Sequence, residues 1–226
     1  MHSISVSQQG TKTEKNEDAY LVLDYQNLYL VADGVGGGPS GDFASRTLVD
    51  SIYNKFKAGK IDQDILLSAF RQISEDIHQV AGEQNLPGMA TTFACAFFND
   101  DNLTVLHAGD SRIYRLRNGA IKQLTNDHSK PVRKSDGTIK LMVTSVVGIP
   151  SRTTIDINHY DWRPDDILLL TTDGITDGME DKDINKILSN TGRLLSDRVN
   201  DLIEESCDRG IRDDKTAILV FEAKAS

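Results

Sequence analysis

The chain has 226 residues, a net charge of −9, 38% hydrophobic residues and 26% charged residues. No apolar run approaches the roughly 20 residues that span a bilayer. Lys and Arg are not clustered as broad binding to nucleic acid or an anionic membrane requires. The opening MHSISVSQQGTKTEKNED lacks the apolar segment of a signal peptide. A cytoplasmic protein is therefore expected, with Cys95 and Cys207 reduced and serving as small core residues.

In chain order, residues 2–9 read as a strand, and 19–24 with 27–32 as an antiparallel pair rich in Val, Leu and Tyr. Ala44, Leu48, Ile52 and Phe56 recur at helical spacing after a glycine-rich turn. Asp62 is the expected cap of a second helix, with Leu66, Phe70, Ile73, Ile77 and Val80 as its apolar stripe and Gly82 as its stop. TTFACAFFND, NLTVLHAGD and SRIYRLRNGAIKQL then read as a meander, with Asn118-Gly119 as a type I′ hairpin turn. TTIDINHY and DDILLLTTDG are two more strands. Helices are expected over 181–189 and 193–209, the latter with a stripe of Leu195, Val199, Leu202 and Ile203 ended by Gly210, and TAILVFE is a last strand. This order is not the βαβα alternation of a parallel sheet. It predicts an α+β fold, a four-layer α-β-β-α sandwich of two mostly antiparallel sheets between helical layers.

The stretch LYLVADGVGGGPSGD puts an apolar strand, a carboxylate and a glycine run together. Gly36, Gly38 and Gly41 match G-x-G-x-x-G, but the following helix leads into another helix and not into a second parallel strand. Asp33 would also stand beside a bound pyrophosphate with like charge. A Walker loop is excluded, because Asp42 follows Gly41 where Lys is required.

The same carboxylate placement recurs. Strands end at Asp33, Asp110 and Asp173, and strands begin just after Glu17 with Asp18 and after Asp213 with Asp214. If those ends converge, each like-charge pair at about 4 Å costs ~4 kcal/mol at an intermediate dielectric. Such a cluster needs cations or protons. No Cys pair or His-x-x-x-His accompanies it, so zinc and iron fit poorly, whereas oxygen-only ligation suits magnesium or manganese. Paired ions of that kind activate water for in-line attack on phosphorus. Gly34 adds a backbone carbonyl beside Asp33.

NEDAY, VADGVGGG, GMATTF, HAGDSRIYRLRNG, LTNDHS, TTDGITD and DDKTAILV, in that order, resemble the metal-dependent serine/threonine protein phosphatases (PPM, or type 2C) in their compact bacterial form. The likeness runs through the whole chain and implies one domain over 1–226 with a short flap at about 129–146. It implies hydrolysis of phosphoserine and phosphothreonine in proteins with two Mn²⁺ or Mg²⁺ ions and room for a third. By resemblance, Asp33, Asp173 and Asp213 form the catalytic centre. Asp33 bridges the ions, Gly34 offers its carbonyl, and Asp173 and Asp213 hold the second ion. Glu17 and Asp18 hold metal-bound waters, and Asp110 with Asp177 holds the third ion. Arg112 is expected to be a structural partner of a carboxylate. The implied partner is a phosphorylated protein, with a serine/threonine kinase or its target as candidates, for a monomeric enzyme. The alternative is a pseudophosphatase that captures a phosphorylated partner without hydrolysis.

Four departures from the family's pattern matter. Thr13 stands where an arginine often grips the substrate phosphate, leaving Lys12 and Lys15 as candidate phosphate binders. Val35 stands where other members have a histidine, and His128 is expected to be structural and not its replacement. The flap is reduced to an expected hairpin around Asp136-Gly137, whose Lys130, Arg133, Lys134 and Lys140 form a basic patch for an acidic or phosphorylated substrate. Asp213-Asp214 replaces the commoner Asp-Asn, a feature of the branch that acts on stress-signalling regulators, whereas GDSRIYRLRNG resembles the general bacterial group.

Overall fold

Side-chain parity along the strands sets the layering. The computed structural model describes residues 1–35, 40–59, 61–99, 102–133 and 136–222. Its elements in chain order are β1 (His2–Gln8), β2 (Asp18–Leu23), β3 (Leu28–Val35), α1 (Gly41–Phe56), α2 (Gln63–Glu83), β4 (Ala90–Thr91), β5 (Phe93–Asn99), β6 (Asn102–Ala108), β7 (Arg112–Arg117), β8 (Ala120–Gln123), β9 (Ser129–Arg133), β10 (Ile139–Val143), β11 (Asp156–Asp161), β12 (Ile167–Thr171), α3 (Asp173–Thr176), α4 (Asp181–Leu188), α5 (Leu195–Asp208) and β13 (Lys215–Phe221). One sheet runs β1-β13-β12-β7-β8, and the other runs β11-β6-β5-β3-β2 with β4 on β3. The strand pairs among the described residues are antiparallel.

On β3, Leu28, Leu30 and Ala32 face α1 and α2, while Tyr29 and Val31 face the other sheet. On β12 and β13, Leu169, Ala217 and Leu219 pack under α4 and α5, while Leu168, Leu170, Ile218 and Val220 enter the space between the sheets. This period of two builds three apolar layers and hence the four-layer α-β-β-α sandwich. Phe70 of α2 stacks on Phe93 of β5 with ring centroids 4.0 Å apart, fixing that helix on its sheet. Asp62 caps α2, its carboxylate accepting from the N–H groups of Asp64 and Ile65. Asn118 and Gly119 both have positive φ, as a type I′ turn between β7 and β8 requires.

Several expected boundaries shift. α2 runs through Gly82 to Glu83, and the chain turns at Asn85, whose φ is 54°. β4 and β5 are separated at Thr92, which donates its backbone N–H to the Asp33 carbonyl. β11 begins at Asp156, three residues later than TTIDINHY suggests, because Pro150–Arg152 forms a 3₁₀ turn first. Asp173–Thr176 is a short helix and not the end of a strand. Cys95 is buried as expected, but Cys207 is exposed. Ser206 takes the inward position on α5 instead and donates to the Gly174 carbonyl at 2.6 Å.

At Gly174, α3 passes so close to the last motif that an added Cβ would run into the backbone carbonyl of Asp214. Neither backbone can yield without disturbing β13. Gly174→Ala should therefore lower the unfolding free energy by about 3 kcal/mol, read from a urea midpoint at unchanged slope.

Candidate metal centre

The acidic strand ends meet at one end of the sandwich. β2 and β3 place Asp18 opposite Asp33 in register. Asp18 is buried and reaches across to the other sheet, where its Oδ2 accepts from the hydroxyls of Thr172 at 2.8 Å and Thr216 at 2.7 Å. Asp33 and Asp173 share a hydrogen bond between their carboxyl groups. The Asp33 pKa is raised, by burial first and then by the charges of Asp173 and Asp18. Burial likewise pushes the Asp18 carboxyl up to about 8 and Asp110 up to about 7, with Asp173 among the charges that add to both shifts. Asp177 follows α3, donates its N–H to the Asp173 carbonyl, and lies at the exposed edge of the group.

The remaining residues frame this group. Glu17 is buried, and its carboxylate lies against the first residue of α1, Gly41. Gly34 donates its N–H to the Glu17 carbonyl at 3.1 Å, and its Cα packs on the Gly41 backbone where a side chain would not fit. Gly36 and Gly38 lie outside the described residues. Asp213 carries the ammonium of Lys12 on its Oδ2 at 2.5 Å. Burial acts against that ammonium, but the hydrogen bond and charge of Asp213, with Asp173 and Asp33 beyond, raise its pKa. Lys15 lies on Asp42 in the first turn of α1, at 3.2 Å. Thr13 turns its hydroxyl onto the Lys15 carbonyl at 2.8 Å. Arg133 is exposed at the far end of the β9–β10 hairpin, about 15 Å along the strand from its root. Lys134 lies outside the described residues.

Three residues to which the sequence assigned no role in the site hold the centre in place. Asp214 is buried and accepts two backbone N–H groups, Gly10 on Oδ1 and Glu17 on Oδ2, each at 2.7 Å. It thereby ties both ends of the loop that carries Lys12 and Lys15. The acid that replaces the commoner Asn thus accepts on both of its oxygens, whereas a side-chain amide has one acceptor oxygen and an NH2 donor in place of the other. Lys215 is also buried, its ammonium donating to the Ile211 and Asp213 carbonyls. Thr92 shares a hydroxyl hydrogen bond with Ser111 at 2.7 Å, joining the β4–β5 break to the GDSR turn. Arg112 makes a two-pronged pair with Asp127 and donates to the Tyr114 hydroxyl, a structural arrangement within the fold.

The donor set fits hard cations. Asp18 Oδ1 and Asp173 Oδ1 are buried with no hydrogen-bond partner, and a buried acceptor left so is costly unless a cation or proton meets it. Among the described residues, the ligand atoms this group offers a metal are carboxylate, hydroxyl and carbonyl oxygens.

A protein phosphatase 2C family description matches residues 9–209. The chain belongs to the protein phosphatase 2C family. Among its relatives, a serine/threonine phosphatase stp of Listeria monocytogenes is 28% identical, across 97% of this chain and 95% of that one. The crystal structure of the Mycobacterium tuberculosis serine/threonine phosphatase PstP/Ppp superposes with a TM-score of 0.85 at 25% identity, covering 98% of this chain and 99% of that one. That of Stp1 from Staphylococcus aureus gives 0.83 at 26% identity, covering 98% and 94%. This phosphatase 2C chain has no helix, among its described residues, long and apolar enough to cross a membrane.

Two outcomes follow from the geometry. Burial raises the pKa of Asp18 to about 8, of Asp110 to about 7, and that of Asp33 in the same direction, above the ordinary carboxyl value of 3.8 at which the unfolded chain titrates. Stability in chelator should therefore fall as pH rises from 6 to 8, by several degrees in thermal midpoint, and saturating Mn²⁺ should flatten the slope. Asp214→Asn should lose one of its two N–H contacts and lower stability by about 1–2 kcal/mol, with calorimetric Mn²⁺ affinity falling several-fold as the 10–17 loop loosens.

Proposed function

We propose that this chain hydrolyses phosphoserine and phosphothreonine in proteins, using two Mn²⁺ or Mg²⁺ ions with a weaker third. The observation that carries the reading is the pair of partnerless buried carboxylate oxygens on Asp18 and Asp173, set beside the Asp33–Asp173 contact. Asp33, the Gly34 carbonyl, Asp173 and Asp213 would hold the ion pair. Glu17 and Asp18 would orient its waters, and Asp110 with Asp177 would hold the third ion. Bound there, the ions supply Lewis acidity that activates water and offsets charge on the phosphoryl oxygens.

The rest is the work of this chain's own groups. Asp18 cannot rotate, because two threonine hydroxyls on the opposite sheet fix its Oδ2. Asp214 fixes the loop that brings Lys12 to the rim. Were Asp213 to hold a cation, the Lys12 ammonium would be free to serve as a donor for the incoming phosphate, in place of the arginine absent at Thr13. Lys15, Arg133 and Lys134 supply further positive charge for the substrate. The β9–β10 hairpin serves as the short flap of a single domain, and its basic side chains favour a phosphorylated protein over a neutral one. A serine/threonine kinase or its target is the partner class this implies, for a monomeric cytoplasmic enzyme.

The test is Mn²⁺-dependent hydrolysis of para-nitrophenyl phosphate and of a phosphothreonine peptide. Both should vanish in chelator, and Asp33→Asn should lower kcat by more than about 100-fold with the circular dichroism spectrum kept. Tight capture of the phosphopeptide with no turnover of either compound would replace this reading with that of a pseudophosphatase.

A further inference from the structure

A second cluster of ligand atoms lies outside the acidic group. His107 on β6 and Asp156 on β11 are register partners in adjacent strands, so their side chains share a face. His128 stands immediately before β9, at the root of the hairpin. Its backbone N–H donates to the Gly109 carbonyl, and its carbonyl accepts from Thr144 just beyond β10, both at 2.7 Å. Its Nε2 lies 3.1 Å from Asp156 Oδ2, and its ring centroid is 4.8 Å from that of His107. One ligand atom from each of the three residues falls within 4.8 Å of the other two.

His107 is the informative member. It is 1% exposed, and neither ring nitrogen has a hydrogen-bond partner. The Ser111 backbone is near enough to act on the ring but out of hydrogen-bonding geometry. A buried imidazole with two idle nitrogens is a rare and costly arrangement. Burial, reinforced by His128, holds it neutral with a pKa near 4, which is the form that ligates a metal. The side chain of Asp156 is 37% exposed, so the cluster opens to solvent on one side.

We propose that His107, His128 and Asp156 form a separate cation site that takes Zn²⁺, with three protein ligands and a fourth position open to water. Two imidazoles and one carboxylate are the donors a borderline ion prefers, unlike the all-oxygen acidic group. Tetrahedral bonds of about 2.0–2.2 Å require the ligand atoms to draw in by about 1 Å, a shift within reach of side-chain torsions. The Gly109 N–H donates to His128 Nδ1 at 3.3 Å, which leaves the proton on Nε2, facing Asp156. Ligation through Nε2 moves the ring's one proton to Nδ1 and gives up that long contact to Gly109. The bound ion joins β6, β11 and the root of the β9–β10 hairpin, stapling the hairpin to the sandwich.

The experiment titrates Zn²⁺ calorimetrically into the protein in millimolar Mg²⁺, which keeps the acidic group engaged, and repeats it with Co²⁺ in the visible range. The expected result is one equivalent of Zn²⁺ and the intense bands of four-coordinate Co²⁺. His128→Gln and Asp156→Asn, both at partly exposed positions, should each weaken uptake at least ~10-fold, while Asp33→Asn leaves it unchanged. Zinc should also slow amide exchange across residues 129–143 in the wild type and not in Asp156→Asn. No uptake in Mg²⁺, or uptake that survives both hairpin-root variants and is lost in Asp33→Asn, overturns the site.

Discussion

Carboxylates crowded together out of water are the constraint around which the molecule is arranged. Asp18 is buried, and Asp33, Asp110, Asp173 and Asp213 are partly so, at the same end of the two sheets. Each answers that cost differently. Asp18 takes two hydroxyl donors from the opposing sheet, burial and the charge of Asp173 push the Asp33 pKa up, and Asp213 draws in an ammonium. These devices join elements far apart in the chain, so the electrostatics of one end also fasten the layers to each other. A centre of this kind is therefore a source of cohesion only when its charge is balanced, and a source of strain otherwise.

The apolar layers absorb that strain. Between the sheets, Tyr29, Val31, Leu168, Leu170, Ile218 and Val220 form a core independent of the rim. Helices clamp each outer face, with the Phe70–Phe93 stack on one side and the α4–α5 pair over Leu169 and Leu219 on the other. The strand ends are thus presented by a rigid frame, and the loops between them need hold only side chains.

Much of the frame was legible from alternation and helical stripes, because burial on one face imposes a period that local sequence must obey. Tyr29 against Leu30, or Leu168 against Leu169, declare their layers without any distant information. The acidic strand ends were legible for a similar reason, each being a short apolar run with a carboxylate at its terminus. What escaped were contacts with no period. Asp214 reads as one more acid of a pair until it is seen holding Gly10 and Glu17. Lys215 reads as a surface residue until two carbonyls are found around its ammonium. Cys207 was misplaced because a stripe defines a helix face only to within one residue, and Ser206 won the inward position. The idle nitrogens of His107 could not be seen at all, since they depend on what neighbouring strands fail to offer.

β1 lies at the margin of its sheet, and its neighbour there is β13. The pairing joins His2 to Phe221. During synthesis β1 must therefore wait for β13, and the acidic strand ends cannot all meet until the segment that carries Asp213 and Asp214 has been made.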